Sequence, residues 1–187
     1  MTTPEAKAAP GFVRRIPEGD DRQRLVCDAC GFVDYENPKI VVGAVATWED
    51  KILLCRRAID PRKGYWTLPA GFLELHETAV EGVRREAWEE ARAKIEIDQL
   101  LAVYSIPRIS QIQLIYRARL ASPDVEAGEE TAELDLFIWD RLPWDEIAFP
   151  SVHWALKHFD EVRDQAVFAP RQNPPGDLGE MTEDRRR

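Results

Sequence analysis

The chain has 187 residues, of which 44% are hydrophobic, 9% aromatic and 32% charged, a globular composition for one ordinary domain with a small appendage. Its 25 basic and 34 acidic residues give a formal net charge of −9, which argues against a duplex nucleic-acid partner and admits a phosphate-bearing ligand only where cations offset the repulsion. The longest apolar runs, such as IVVGAVATW at 40–48, have strand length, far short of the roughly 20 residues of a membrane helix, and the first dozen residues lack the apolar core of a signal peptide. No membrane partner and a cytoplasmic location are expected.

Residues 1–22, rich in Pro, Ala and charge, read as mobile. Residues 24–38 read as a short hairpin around the CDAC knuckle of Cys27 and Cys30, closed by Asn37-Pro38. A zinc site needs two such knuckles, or one with histidines, and the second pair is absent. A strand follows at 40–48, then the turn Glu49-Asp50 and a second strand at 51–57 that holds Cys55 as a small buried apolar residue. AIDPRKG is a loop and TLPAGF a short extended piece reaching Gly71. Residues 77–92 read as a helix, 95–106 and 111–120 as strands joined near Pro107, 121–133 as a loop and 134–140 as a strand. A last helix starts after Pro150 with Ser151 as its N-cap and Val152, Ala155, Leu156 and Phe159 on one face. From about Arg171 the chain lacks an apolar pattern and reads as disordered. These elements make an α+β fold, a mixed sheet between helices. The expected organisation is a flexible N-terminus and hairpin at 1–38, a main domain at 39–165 and a disordered tail at 166–187.

The helix is the informative element. At about 100° per residue, Val80, Val83, Ala87 and Ala91 share one face, and Glu86, Glu89 and Glu90 border it. Like charges at these spacings cost about 0.2–0.5 kcal/mol per pair in an isolated helix, and more where water is excluded. A bound divalent cation removes that cost, and hard carboxylate oxygens suit Mg²⁺ or Mn²⁺. The alternative is a solvated face with ordinary ion pairs, since Arg85 lies one turn from Glu81 and Glu89.

Gly71, then Glu77, Arg85-Glu86, Ala87, Glu89-Glu90 and Ala93 reproduce, in spacing, a box that identifies a resemblance to the Nudix family: glycine, five residues, glutamate, seven residues, Arg-Glu, an apolar residue, one further residue, Glu-Glu, one further residue, glycine and an apolar residue. Arg92 stands where the family has glycine, so it either continues the helix or bears about 1–2 kcal/mol of left-handed strain. The flanks KILLCRR and GYWTLPAGFLE are also family-like, and the resemblance covers about residues 40–160. It implies an α/β/α sandwich with a mixed sheet and a metal-dependent hydrolase of a nucleoside diphosphate linked to another moiety.

The resemblance further implies that Glu86, Glu89 and Glu90 hold the Mg²⁺ or Mn²⁺, that Arg85 orients Glu89, that Glu77 supports the cluster, and that the backbone near Ala70–Gly71 adds a ligand. Glu89 is one candidate to accept the proton from water; Glu130 and Glu133, in the AGEETAEL loop, are the others. Arg56 and Arg57 end a strand and point to opposite faces, with Arg57 favoured to meet the substrate phosphates. Trp66, Tyr104 and Phe72 are candidates to stack on a base, against the commoner role of core packing. CDACGFVDYENPK resembles the second half of a zinc ribbon found in the NADH, ADP-ribose and FAD pyrophosphatase subgroup. The chain begins too late for the first half, so a remnant hairpin without zinc is expected, and zinc shared between subunits or completed by a histidine is the alternative. Pro107, about fifteen positions past the box, matches ADP-ribose-type members. The expected substrate is therefore ADP-ribose or FAD, cut to AMP and a phosphorylated partner. A homodimer is expected, with Trp144–Ala148 and the N-terminal segment as contacts. A nucleotide-sensing protein without catalysis, or a nucleic-acid module built on the knuckle, are the competing readings.

Overall fold

The structure is a computed structural model that describes residues 11–181, and the chain divides into two compact units between Asn37 and Pro38. The first unit is an antiparallel three-stranded sheet in the order β1 (Phe12–Arg15), β2 (Arg24–Cys27), β3 (Val33–Asp34). β1 falls where mobility was expected. Only one of its four residues is even partly buried, so it carries no apolar alternation to announce it; residues 1–10 lie outside the described residues. The Gly31 N–H donates to the Cys27 carbonyl at 2.9 Å and the Cys27 N–H to the Phe32 carbonyl at 2.8 Å, closing the CDAC turn. Arg24 pairs with Asp20 at 3.0 Å and lies over the Tyr35 ring.

The second unit holds β4 (Lys39–Trp48), β5 (Lys51–Arg57), β6 (Trp66–Thr67), β7 (Ala70–Phe72), α1 (Ala79–Ala91), β8 (Ile95–Ile106), β9 (Gln111–Leu120), β10 (Thr131–Ile138) and α2 (Pro150–Val162). The sheet runs β10-β5-β4-β9-β8, with β4 and β9 parallel and the other neighbours antiparallel. β4 divides its pairing: Val41–Gly43 meet β7, and Thr47–Trp48 meet β5.

Strand alternation sorts the core into two layers. Val42, Ala44, Ala46, Leu53 and Cys55 pack under Val83, Ala87 and Ala91 of α1. Val45, Ile52 and Leu54 belong to the opposite cluster, with Ala155, Leu156 and Phe159 of α2. Each fully buried Val or Leu contributes about 1.5–3 kcal/mol. The result is the expected α+β sandwich of helix, mixed sheet and helix.

Several local expectations are corrected. α1 starts at Ala79, because Thr78 caps it: the Thr78 hydroxyl accepts from the Glu81 N–H and the Glu81 carboxylate accepts from the Thr78 N–H. α2 starts at Pro150, whose fixed φ suits the first helical position, so Phe149 is the N-cap and Ser151 is buried in the first turn. β10 begins at Thr131, three residues before the expected strand. Ile147 and Ala148 are buried and Trp144 stacks on His153 of the same chain, while Asp145 and Glu146 are exposed. The segment from 166 to 181 is held by polar bonds to β8 and α2, which no apolar pattern could signal: Gln99 donates to the Phe168 carbonyl, Arg117 lies over the Phe168 ring, and Arg171 bridges to Ala102. Residues 182–187 lie outside the described residues. Among the described residues no helix is long and apolar enough to cross a membrane.

Candidate active site

Arg85, on α1, is the hub. Its guanidinium donates to both oxygens of Glu77 (Nη2 to Oε1 at 2.7 Å, Nε to Oε2 at 3.0 Å), to Glu86 Oε1 at 2.7 Å, to Glu89 Oε2 at 2.9 Å and to the Phe72 carbonyl at 2.9 Å. One planar cation thus ties the start of the helix, its acidic stripe and β7 together, which a lysine cannot do. The Arg85 bonds and the Glu74 N–H hold the Glu77 carboxyl down at about 2.

Glu86 and Glu90, one turn apart, face inward and are both buried. Burial raises the Glu86 carboxyl above its ordinary value against the pull of Arg85. Burial, with Glu86 and Glu130 nearby, pushes Glu90 up to about 8 even though its Oε2 accepts the Ala70 N–H at 3.1 Å. Gly71 makes room for this arrangement: a Cβ there would stand 2.4 Å from the Glu86 carboxylate. Glu89, by contrast, is exposed.

The three acids open on a cavity of about 740 Å³ whose walls also include Arg57, Phe72, Arg108, Gln111, Gln113, Glu129 and Glu130. The loop bearing Glu129 and Glu130 is tied to the end of α1: the Glu126 N–H donates to the Ala91 carbonyl at 2.9 Å and the Gly128 N–H to the Glu90 carbonyl at 3.0 Å. A Cβ on Gly128 would fall 1.7 Å from the Glu89 carbonyl oxygen, so only glycine permits the contact.

The two arginines of β5 separate by strand alternation. Arg57 follows Leu53 and Cys55 to the α1 side, lines the cavity and lies over the Phe149 ring. Arg56 follows Ile52 and Leu54 to the other face, where it pairs with Glu133 at 3.0 Å and Glu146 at 3.2 Å. Glu133 is opposite Arg56 in the β10–β5 register and therefore shares its face. Arg56 and Glu133, expected at the site, do not line the cavity. Among the aromatic candidates, Phe72 lines it, whereas Trp66 and Tyr104 are core residues; the Tyr104 hydroxyl is 2.7 Å from His158 Nδ1.

A family model described as NUDIX domain matches residues 37–162, two thirds of the chain. The chain belongs to the Nudix family of pyrophosphohydrolases. A second model, described as Nudix N-terminal and modelling that family's zinc ribbon, matches residues 9–36. The crystal structure of a Nudix hydrolase from Nitrosomonas europaea is 46% identical, with a TM-score of 0.82 over 87% of this chain and 93% of its own. An ADP-ribose pyrophosphatase of Methanocaldococcus jannaschii is 34% identical over 113 residues, 58% of this chain and 67% of its own. The NAD-capped RNA hydrolase NudC of Chromobacterium violaceum is 30% identical over 141 residues, 74% of this chain and 52% of its own. The chain therefore spans about half the length of that hydrolase.

For a Nudix protein the fit of a divalent cation is a question about donors. Glu86, Glu89 and Glu90 supply hard oxygens on one wall, and the Gly71 cradle keeps the Glu86 carboxylate against the backbone. Among the described residues no three Cys, His, Asp or Glu side chains are gathered as a ready ligand group. Arg85 holds Glu86 and Glu89, and the Ala70 amide holds Glu90. The donor chemistry fits Mg²⁺ or Mn²⁺, and these bonds are what an arriving cation would replace. In the ribbon match, Cys27 and Cys30 are the only cysteines; the Cys27 thiol is lowered by the backbone amides of Cys30 and Ala29. Arg108, Gln111, Gln113 and Glu129 escaped sequence reasoning. The glutamines carried a signal, two polar side chains at alternate positions in the first half of β9, on either side of Ile112.

Proposed function

We propose that this Nudix protein hydrolyses the pyrophosphate bond of an ADP-containing compound, ADP-ribose or FAD, to AMP and a phosphorylated partner, with Mg²⁺ or Mn²⁺. The reading rests on one observation: two buried glutamates, Glu86 and Glu90, with exposed Glu89 beside them, at the wall of a cavity of nucleotide size. Similarity to the archaeal ADP-ribose pyrophosphatase supports the substrate class. In this reading residues 39–165 carry catalysis and the N-terminal hairpin is an appendage.

Glu86, Glu89 and Glu90 would hold the cation, which when bound supplies positive charge against the pyrophosphate oxygens. Arg85 holds Glu86 and Glu89 in place through its hydrogen bonds. Arg57 is placed to meet a phosphate from β5. Water attacks one phosphorus in line, the bridging P–O bond breaks, and the bridging oxygen leaves on the other phosphate. The water's proton passes to an exposed carboxylate of the cavity, Glu89 or Glu130, whereas Glu90 is buried.

A hydrolysis panel of ADP-ribose, FAD, NADH, CoA, diadenosine polyphosphates and dNTPs, with Mg²⁺ or Mn²⁺ and product identification, tests the proposal. AMP release from ADP-ribose or FAD is expected. Binding of nucleotides without turnover of any of them would leave a sensor instead. Glu130→Gln tests the base: a fall in kcat of about 10²–10⁴-fold assigns it to Glu130, and an unchanged kcat leaves Glu89.

A further inference from the structure

The C-terminal segment, a tail by sequence, is a wall of the cavity. The Arg171 N–H donates to the Leu101 carbonyl at 2.8 Å and its carbonyl accepts from the Val103 N–H at 2.9 Å, which seats the chain on the edge of β8. Asn173 then takes both backbone groups of Ser105, accepting from its N–H and donating to its carbonyl, each at 2.8 Å. It also donates to the Asp177 carbonyl at 3.0 Å. The Asp177 carboxylate accepts from the indole N–H of buried Trp154 at 3.1 Å and from the Gly179 N–H at 2.9 Å. These bonds bring Gly179 against Ile106 and Trp154 and place Gly179 and Met181 on the cavity wall. In the sheet, β8 lies two strands beyond β4, about 10 Å across at the usual spacing, whereas Glu86 and Glu90 sit at β7 on the other side of β4.

We propose that residues 171–181 set the size of substrate accepted, by closing the cavity at the end away from the carboxylates. A free dinucleotide or nucleotide sugar ends inside this wall; a pyrophosphate-capped RNA, whose chain must run on past it, is rejected. The inference rests on the functional reading above and narrows it to small soluble substrates. The wall is polar-bonded to backbone and to one buried indole, so it is a fixed surface that specific side chains hold in place.

The test uses the full-length chain, ADP-ribose and an NAD-capped RNA oligonucleotide. The wild type is expected to favour ADP-ribose by at least about 100-fold in kcat/KM. Asn173→Ala/Asp177→Ala, which unties the wall, is expected to raise KM for ADP-ribose about tenfold with kcat within about threefold, and to raise kcat/KM for the capped RNA about tenfold. Met181→Ala moves both in the same sense by about threefold, and serves if the double variant fails to fold by circular dichroism. Equal use of both substrates by the wild type, or wild-type KM and selectivity in the folded variants, overturns the proposal. If the wild type cleaves nothing, the functional reading fails, and calorimetric binding of ADP-ribose judges the wall separately: its Kd rises about tenfold in the untied variant if the wall holds, and is unchanged if it does not.

Discussion

At Gly71 a single methyl decides whether Glu86 can keep its place, because the added Cβ would fall 2.4 Å from the carboxylate. Gly71→Ala is expected to lower kcat at least about 100-fold with thermal unfolding still cooperative, since the clash falls on a carboxylate proposed to hold the cation and positioning errors of about 1 Å carry that penalty. Glu133→Gln is expected to leave kcat within about twofold and to cost at most about 1 kcal/mol in denaturant melts, as an exposed ion pair with Arg56 should. The spacing of Arg85, Glu86, Glu89 and Glu90 was legible because a helix fixes the faces of its residues. The loop acid was not. Which of Glu129, Glu130 and Glu133 reaches the cavity depends on the β10–β5 register, and that register shifts between Thr131 and Glu133.

At the scale of elements, the end of α1 shows what a departure from the box does. Arg92 adopts φ 49°, ψ 23°, the left-handed conformation that glycine takes freely, and its N–H donates to the Trp88 carbonyl at 2.9 Å. The helix stops where glycine would stop it, with the strain carried by an arginine. Arg92→Gly is therefore expected to stabilise the protein by about 0.5–1 kcal/mol, the relieved strain less the added entropy of the unfolded chain, as measured by urea melts at equal m. The strands and both helices were legible from apolar alternation and periodicity, to within a few residues at their ends. Segments held by polar bonds were not: β1 has no alternating face, and residues 171–181 are fixed by Asn173, Asp177 and Trp154. In composition they are indistinguishable from a loose end.

At the scale of the whole molecule, the buried acids make stability depend on pH and on cations. Glu90 has its carboxyl at about 8 in the fold against an ordinary 4.5. Between those values the folded chain holds the extra proton, so stability of the metal-free protein is expected to fall as pH rises from 4.5 to 8, followed by Tm in chelator-treated samples. Mg²⁺ at about 100 times its Kd should restore about 2.7 kcal/mol at pH 8, and Glu90→Gln should flatten the pH slope and shrink the Mg²⁺ effect. The amides of Glu126 and Gly128 bond the last carbonyls of α1, so the loop that carries Glu129 and Glu130 cannot swing out without unpairing the helix terminus. Loop opening and fraying of that terminus are one event, and deuterium should enter the amides of Glu126, Gly128 and Arg92 at a common rate.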